Sequence, residues 1–227
     1  RSFDGDFFFL KRYHPQKAVE TIVELVKTRL PGKMGIPSNQ VQVLSPTRRG
    51  LTGTVNLNKE LQAALNPPAP GRPEKVFGSV TFRLGDRVMQ VKNNYDVMWL
   101  APGKGESGLG IFNGDIGEIV NVEPDGAALT VDFDGKQVLY TPEALGELEL
   151  AYAVTVHKSQ GSEYPAVALA CLEAAPMLLT RSVLYTGVTR ARQLFIGVGD
   201  ERVFARMVEN NKPQRRYSAL AERLTGA

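Results

Sequence analysis

Side chains able to hold an anion or a hydroxyl gather in two stretches late in the chain. Ala151 to Cys171 reads AYAVTVHKSQGSEYPAVALAC, and Leu184 to Arg192 reads LYTGVTRAR. The first carries Thr155, His157, Ser159, Gln160 and Glu163, which mix hydroxyl, imidazole, amide and carboxylate groups. The second ends in Arg190 and Arg192, just ahead of the apolar run Leu194 to Val198. Guanidinium groups suit phosphate because they stay charged and offer a planar fork of donors. Cations at a helix end also have a simpler explanation, since they are favourable there by roughly 0.3–1 kcal/mol. A third candidate is Thr47-Arg48-Arg49, where a short apolar strand meets a polar turn. Those arginines are either a solvated turn or an anion contact at the end of a sheet strand.

The elements that must position these groups are legible from periodicity. Ala151 to Gln160 is compatible with a helix, Gly161 breaks it, and Ala166 to Leu172 is a continuous apolar run expected to be a buried strand. In open α/β sheets, ligands sit in loops at the ends of such strands. Upstream, Phe7 to Leu10 reads as a strand. A helix then starts at Pro15, with Val19, Ile22, Val23, Val26 and Leu30 on one face, and is predicted to stop at Pro31-Gly32. Val41 to Leu44 is a strand, and the helix carrying Leu57, Leu61 and Leu65 stops at Asn66-Pro67.

Pro67 to Pro73, PPAPGRP, is a stiff linker, and the texture beyond it is β. Strands are predicted over Val76 to Phe82, Arg87 to Lys92, Asp115 to Glu123, Ala127 to Asp134 and Lys136 to Tyr140. Turns at Pro124-Asp125-Gly126 and Asp134-Gly135 suggest hairpins in a small closed barrel. Val97 to Ile111 reads as a mobile surface loop holding Trp99. Its Gly103-Lys104-Gly105 is not a phosphate loop, which needs GxxxxGK[ST] opening a helix. Helices are expected at Glu201 to Asn210 and around Ser218 to Leu224.

Composition narrows the class. At 227 residues with 43% apolar side chains, the chain is an ordinary globular protein of one large core or two small ones. No apolar run approaches the ~20 residues of a membrane span, and no signal peptide is apparent. The single cysteine, Cys171, lies in an apolar run, so a core role and a reducing, cytoplasmic setting are expected. Two histidines and one cysteine offer no metal-site spacing, so no metal ligands are assigned. The formal charge of +3 permits nucleic-acid binding without establishing it. The chain does not begin with methionine, which suggests a piece of a longer protein.

HKSQGSEYP followed by YTGVTRAR resembles motifs V and VI of superfamily I helicases, in the variant of RecD-like DNA helicases. VLSPTRRG with LNKELQAALNP resembles motif IV of that family. FRLGDRVMQVKNNYD and FNGDIGEI with LTVDFDG resemble its inserted SH3-like barrel, although Val97 to Ile111 interrupts the family pattern. The resemblance implies an α/β fold: a RecA-like second motor domain of the P-loop NTPase type (residues 1–72 and 141–227) with a small SH3-like β-barrel inserted over residues 73–140. It implies that Arg190 is an arginine finger and that Arg49, Gly161 and Glu163 join it on the nucleotide, with Arg49 preferred over Arg48. It also implies that Thr155, His157 and Ser159 touch single-stranded DNA.

No GxxxxGK[ST] occurs in the chain, so the resemblance covers only the second half of an ATP-driven 5′–3′ DNA helicase. The first motor domain, with ATP and Mg2+, is expected in a missing N-terminal part. This piece alone is expected to be inactive and to bind no cofactor tightly. Single-stranded DNA, duplex junctions and that missing domain are the expected partners, in repair or recombination, with no membrane. Two alternatives stand beside this: a non-catalytic nucleic-acid-binding module, and the helicase part of a conjugative relaxase.

Overall fold

The structure is a computed structural model and describes residues 5–211 apart from Asp125. The basic cluster Lys212 to Arg216 and the helix expected around Ser218 to Leu224 lie outside the described residues.

The chain opens with β1 (Phe7–Lys11) and α1 (Pro15–Glu24), whose first turn holds Pro15. The helix does not stop at Pro31-Gly32. A π-helical turn, Leu25–Arg29, leads into α2 (Leu30–Met34), and the end comes at Gly35 with φ 66°. The wider turn places the Leu30 N–H on the Leu25 carbonyl. The ladder therefore shifts register just ahead of Pro31, where the missing N–H and the ring would otherwise break it. β2 (Val41–Ser45) and α3 (Thr54–Leu65) follow as the pattern predicts.

After the linker, β3 (Glu74–Phe77) and β4 (Val80–Arg83) form a hairpin where one strand was expected, turned at Gly78 with φ 59°. β5 (Arg87–Gln90), β6 (Asn94–Ala101), β7 (Glu106–Ile111) and β8 (Ile116–Val122) come next. β9 (Leu129–Phe133), β10 (Lys136–Tyr140) and β11 (Leu148–Leu150) complete the set. Together β5 to β11 form a seven-stranded antiparallel sheet in the order β11-β5-β8-β9-β10-β6-β7. Its strands and β4 share one core, which includes Phe82, Val88, Ile119, Val131 and Tyr140. Among the described residues no ladder joins β11 to β7, so the sheet wraps that core without the hydrogen-bonded closure expected of a barrel. The β9–β10 turn is the one read from sequence: Asp134 and Gly135 both have positive φ, as a type I′ turn requires.

The stretch expected to be a mobile loop is instead the β6–β7 hairpin, turned at Gly103-Lys104-Gly105 over the Ala101 carbonyl. Trp99 explains the order. Its ring lies across Gly108, where any side chain would overlap it, and the Lys136 ammonium stands 4.9 Å from the ring centroid.

The chain then returns as β12 (Ala153–Thr155), β13 (Tyr164–Cys171), α4 (Arg181–Val188), β14 (Ala191–Gly199) and α5 (Glu201–Glu209). The helix expected before Gly161 is absent. Ala153 and Val154 pair with Val43 and Leu44 at the sheet edge, and only a single 3-10 turn, His157–Ser159, follows. Consecutive β-branched Val154, Thr155 and Val156 favour that extended edge over a helix. The five parallel strands run in the order β1-β14-β13-β2-β12. Ala166, Ala168 and Ala170 face α1 and α3, while Val167, Leu169 and Cys171 face α4 and α5. Burial on both faces is why β13 reads as a continuous apolar run.

Two adjacent residues fasten the antiparallel sheet to this parallel one. The buried Asp86 carboxylate accepts from Gln62 Nε2 (2.6 Å), Asn66 Nδ2 (2.7 Å), Tyr152 Oη (2.8 Å) and the Arg83 N–H (2.8 Å). Arg87 donates to the Asn39 and Val41 carbonyls and lies 5.8 Å from the Tyr164 ring centroid. Met89, on the same strand, packs into the core beneath the parallel sheet.

Candidate functional site

The N-terminal edge of the parallel sheet brings Arg190 to the Gly161–Glu163 loop. Thr180 caps α4 by accepting from the Val183 N–H, and Gly187 lets the helix settle against Leu169. The chain leaves α4 at Thr189, and Arg190 stands just ahead of β14. Its Nη1 donates to the Ser162 carbonyl (2.9 Å), Nε to the Thr186 carbonyl (3.2 Å) and Nη2 to Thr189 Oγ1 (3.2 Å). The Tyr164 N–H donates to the Arg190 carbonyl at 2.8 Å, tying the two segments together. Arg190 is half-buried, held by neutral oxygens and in no ion pair among the described residues. Such a cation keeps its charge for an incoming anion. Gly161, at φ 87°, makes the turn that a side chain would strain. The exposed Glu163 carboxylate pairs with Arg192 Nε at 2.8 Å. Arg192 is therefore a strand residue, not the helix-end cation its position suggested.

Thr155, His157 and Arg49 lie at the opposite, C-terminal edge. Arg49 follows β2 and lines a cavity with Tyr13, Leu172, Glu173 and Asp200, all just beyond strand ends. At about 3.3 Å per residue, the eight residues of β13 separate the two edges by roughly 26 Å. The expectation that Arg49 shares a nucleotide with Arg190 and Glu163 is not met, because consecutive parallel strands put those loops at opposite ends. Thr155 is half-buried and its hydroxyl accepts from the Lys158 N–H, while His157 is exposed. Ser159 is fully buried and donates to the Val156 carbonyl at 2.7 Å, so it holds the turn and presents nothing to a ligand.

Sequence reasoning missed the charge cluster beside Thr155. One carboxylate, Glu149, bridges Arg48 Nη2 (2.9 Å) and Lys158 Nζ (3.0 Å). No pattern in LGELEL marks Glu149, because its contact with Arg48 spans 101 positions of the chain. Asp86 and Arg87 were read only as part of a barrel string; a polar pair directly before an apolar strand was the one available signal. Among the described residues no His, Cys, Asp and Glu group could hold a metal ion. No described helix is long and apolar enough to cross a membrane.

Residues 57–133 match the family model of the ATP-dependent RecD-like DNA helicase SH3 domain, and residues 150–196 that of the UvrD-like helicase C-terminal domain. The ATP-dependent RecD2 DNA helicase of Deinococcus radiodurans is 39% identical over 184 residues, 81% of this chain and 23% of that protein. The RecBCD enzyme subunit RecD of Mycobacterium tuberculosis is 31% identical over 160 residues, 70% of this chain and 25% of its own length. The chain thus spans about a quarter of these relatives. A solved structure of two coordinating Pif1 helicases on forked duplex DNA superposes at a TM-score of 0.46 and 18% identity, covering 83% of this chain and 47% of that one; nothing rests on so distant a likeness. The two models, met in this order along the chain, and the RecD and RecD2 relatives place the chain in the RecD-like helicase family.

Proposed function

We propose that the chain is the second motor domain, with its SH3-like insertion, of an ATP-driven DNA helicase that moves 5′ to 3′. The parallel sheet with its helices is the motor half, and residues 73–140 are the body of the insertion. The observation that carries the reading is Arg190, a charged guanidinium held only by neutral oxygens beside Gly161–Glu163.

Arg190 offers its fork to a phosphoryl group across a cleft whose other wall, with the phosphate loop, belongs to a domain outside this chain. ATP with Mg2+, bound there, supplies the phosphoryl group whose transfer drives movement. Phosphoryl transfer asks for position and charge more than covalent help, and an arginine delivered this way contributes on the order of 10³–10⁵ in rate. Glu163, exposed and held only by an exposed cation, is free to accept from a ribose hydroxyl. Gly161 gives the loop its turn. At the other edge, His157 and Thr155 stand with Arg48 and Lys158 as backbone contacts to single-stranded DNA. Contacts of that kind position the strand without reading its sequence.

In a protein that joins this chain to a phosphate-loop domain, Arg190→Ala is expected to lower DNA-stimulated ATPase by at least about 10³-fold while nucleotide affinity changes far less. Equal losses of affinity and turnover would overturn the assignment.

A further inference from the structure

We infer that Arg87, on the antiparallel sheet, is a positioning residue for Arg190: it seats the Tyr164 ring, and the Tyr164 segment holds Arg190 in place. The inference rests on the reading of Arg190 as the cation of the nucleotide site, and it gives the insertion a part in that site.

Arg87 opens β5 and reaches the N-terminal edge of the parallel sheet, the edge that holds Arg190 and the Gly161–Glu163 loop. Its Nη1 donates to the Asn39 (3.1 Å) and Val41 (3.4 Å) carbonyls, where β2 begins. Its guanidinium carbon lies 5.8 Å from the centroid of the Tyr164 ring, where β13 begins. One side chain thus meets the starts of two neighbouring strands. From Tyr164 the route to Arg190 is short. The Tyr164 N–H donates to the Arg190 carbonyl at 2.8 Å, and the Ser162 carbonyl, two residues earlier, receives Arg190 Nη1 at 2.9 Å. Burial pushes the Tyr164 hydroxyl above its ordinary range, and the charges of Arg87 and Arg190 both oppose that rise, so both cations stand beside one ring.

Fastening two sheets does not by itself call for a cation here. Arg87 is half-buried, burial works against its charge, and it makes no ion pair among the described residues. Glu118, opposite it on β8, is exposed and leaves it unpaired. An apolar side chain would fill the same place without that desolvation cost. The guanidinium, however, serves two carbonyls and a ring face at once, which the point charge of a lysine does not. That set of contacts fixes where β13 starts, and with it the loop against which Arg190 is held.

The test is a double-mutant cycle on DNA-stimulated ATPase, in a protein that joins this chain to a phosphate-loop domain. Arg87→Lys keeps the charge and the stem but loses the planar group, and circular dichroism verifies its fold. Misplacing a reacting group by about 1 Å costs on the order of 10²-fold in rate, so kcat should fall roughly 10–100-fold while the KM for ATP changes little. In the Arg190→Ala background the same change should leave the residual rate nearly as it was, because the group it positions is gone. Tyr164→Leu keeps an apolar core side chain but removes the ring face, and the same cycle should return the same pattern. An unchanged kcat in Arg87→Lys, or an equal fold-loss in both backgrounds, would overturn the positioning role and leave the reading of Arg190 standing. An unchanged kcat in Arg190→Ala alone would overturn both.

Discussion

Replacing Asp86 with Asn probes how the antiparallel sheet is fastened to the parallel one. The carboxylate is fully buried. Oδ2 accepts from Gln62 Nε2 and the Arg83 N–H, and Oδ1 from Asn66 Nδ2 and Tyr152 Oη. Asparagine keeps the shape but puts an NH2 group where one oxygen stood, so two donors then face a donor. The neighbouring amides cannot turn over to accept. Gln62 Nε2 also serves the Thr81 carbonyl at 2.8 Å, and Asn66 Nδ2 the Leu84 carbonyl at 3.1 Å, while Asn66 Oδ1 receives Arg72. Only the Tyr152 hydroxyl can rotate to accept. One or two buried donors are therefore left unmet, at ~1–3 kcal/mol each, or roughly 1–6 kcal/mol in all. Against a total stability of about 5–15 kcal/mol, that is a large fraction. Urea unfolding followed by far-ultraviolet circular dichroism and by Trp99 fluorescence reads both sheets, because Trp99 is the sole tryptophan and lies in the antiparallel sheet. Both signals should move together to a lower midpoint. A loss under about 0.5 kcal/mol, or a shift in the Trp99 signal alone, would refute the idea that Asp86 joins the two sheets.

Two further outcomes follow from packing. Gly108→Ala should push the Trp99 ring off its strand and away from Lys136, giving a red-shifted emission and a loss of about 0.5–1 kcal/mol; an unshifted spectrum would show that the ring does not lie there. Burial pushes the Cys171 thiol up to about 12 from its ordinary 9.0, so it should resist thiol reagents near pH 9 until the protein unfolds. The unfolded thiol ionises near 9.0 while the folded one stays protonated, so its contribution to stability is lost as pH rises from 9.0 towards 12. Cys171→Ala should flatten the fall in stability over that window, and an unchanged fall would count against the burial argument.

By itself the sequence determined the elements whose burial follows a simple period. β1, β2, β13 and β14 read as apolar runs because the parallel sheet is covered on both faces, and α3 reads as a helix from Leu57, Leu61 and Leu65. The Asp134-Gly135 turn was legible because a two-residue hairpin demands positive φ at both positions. Arg190 and Glu163 were legible as a motif, since local chain order sets the loops before β13 and β14. Tertiary structure alone decided the rest. Whether Ala151–Gln160 became helix or strand depended on the free edge of β2, which offered Ala153 and Val154 partners that a helix would leave unused. Pro31 was absorbed because a π-helical turn shifted the hydrogen-bond register ahead of it. The Val97–Ile111 segment became a hairpin through contacts of Trp99 with Gly108 and Lys136 on other strands. Arg49 parted from Arg190 for a topological reason: loops following parallel strands gather at one end of the sheet, and loops preceding them gather at the other. Asp86 depended on donors brought in from α3, its C-terminal cap and Tyr152, and residues so far apart in the chain leave no periodic trace.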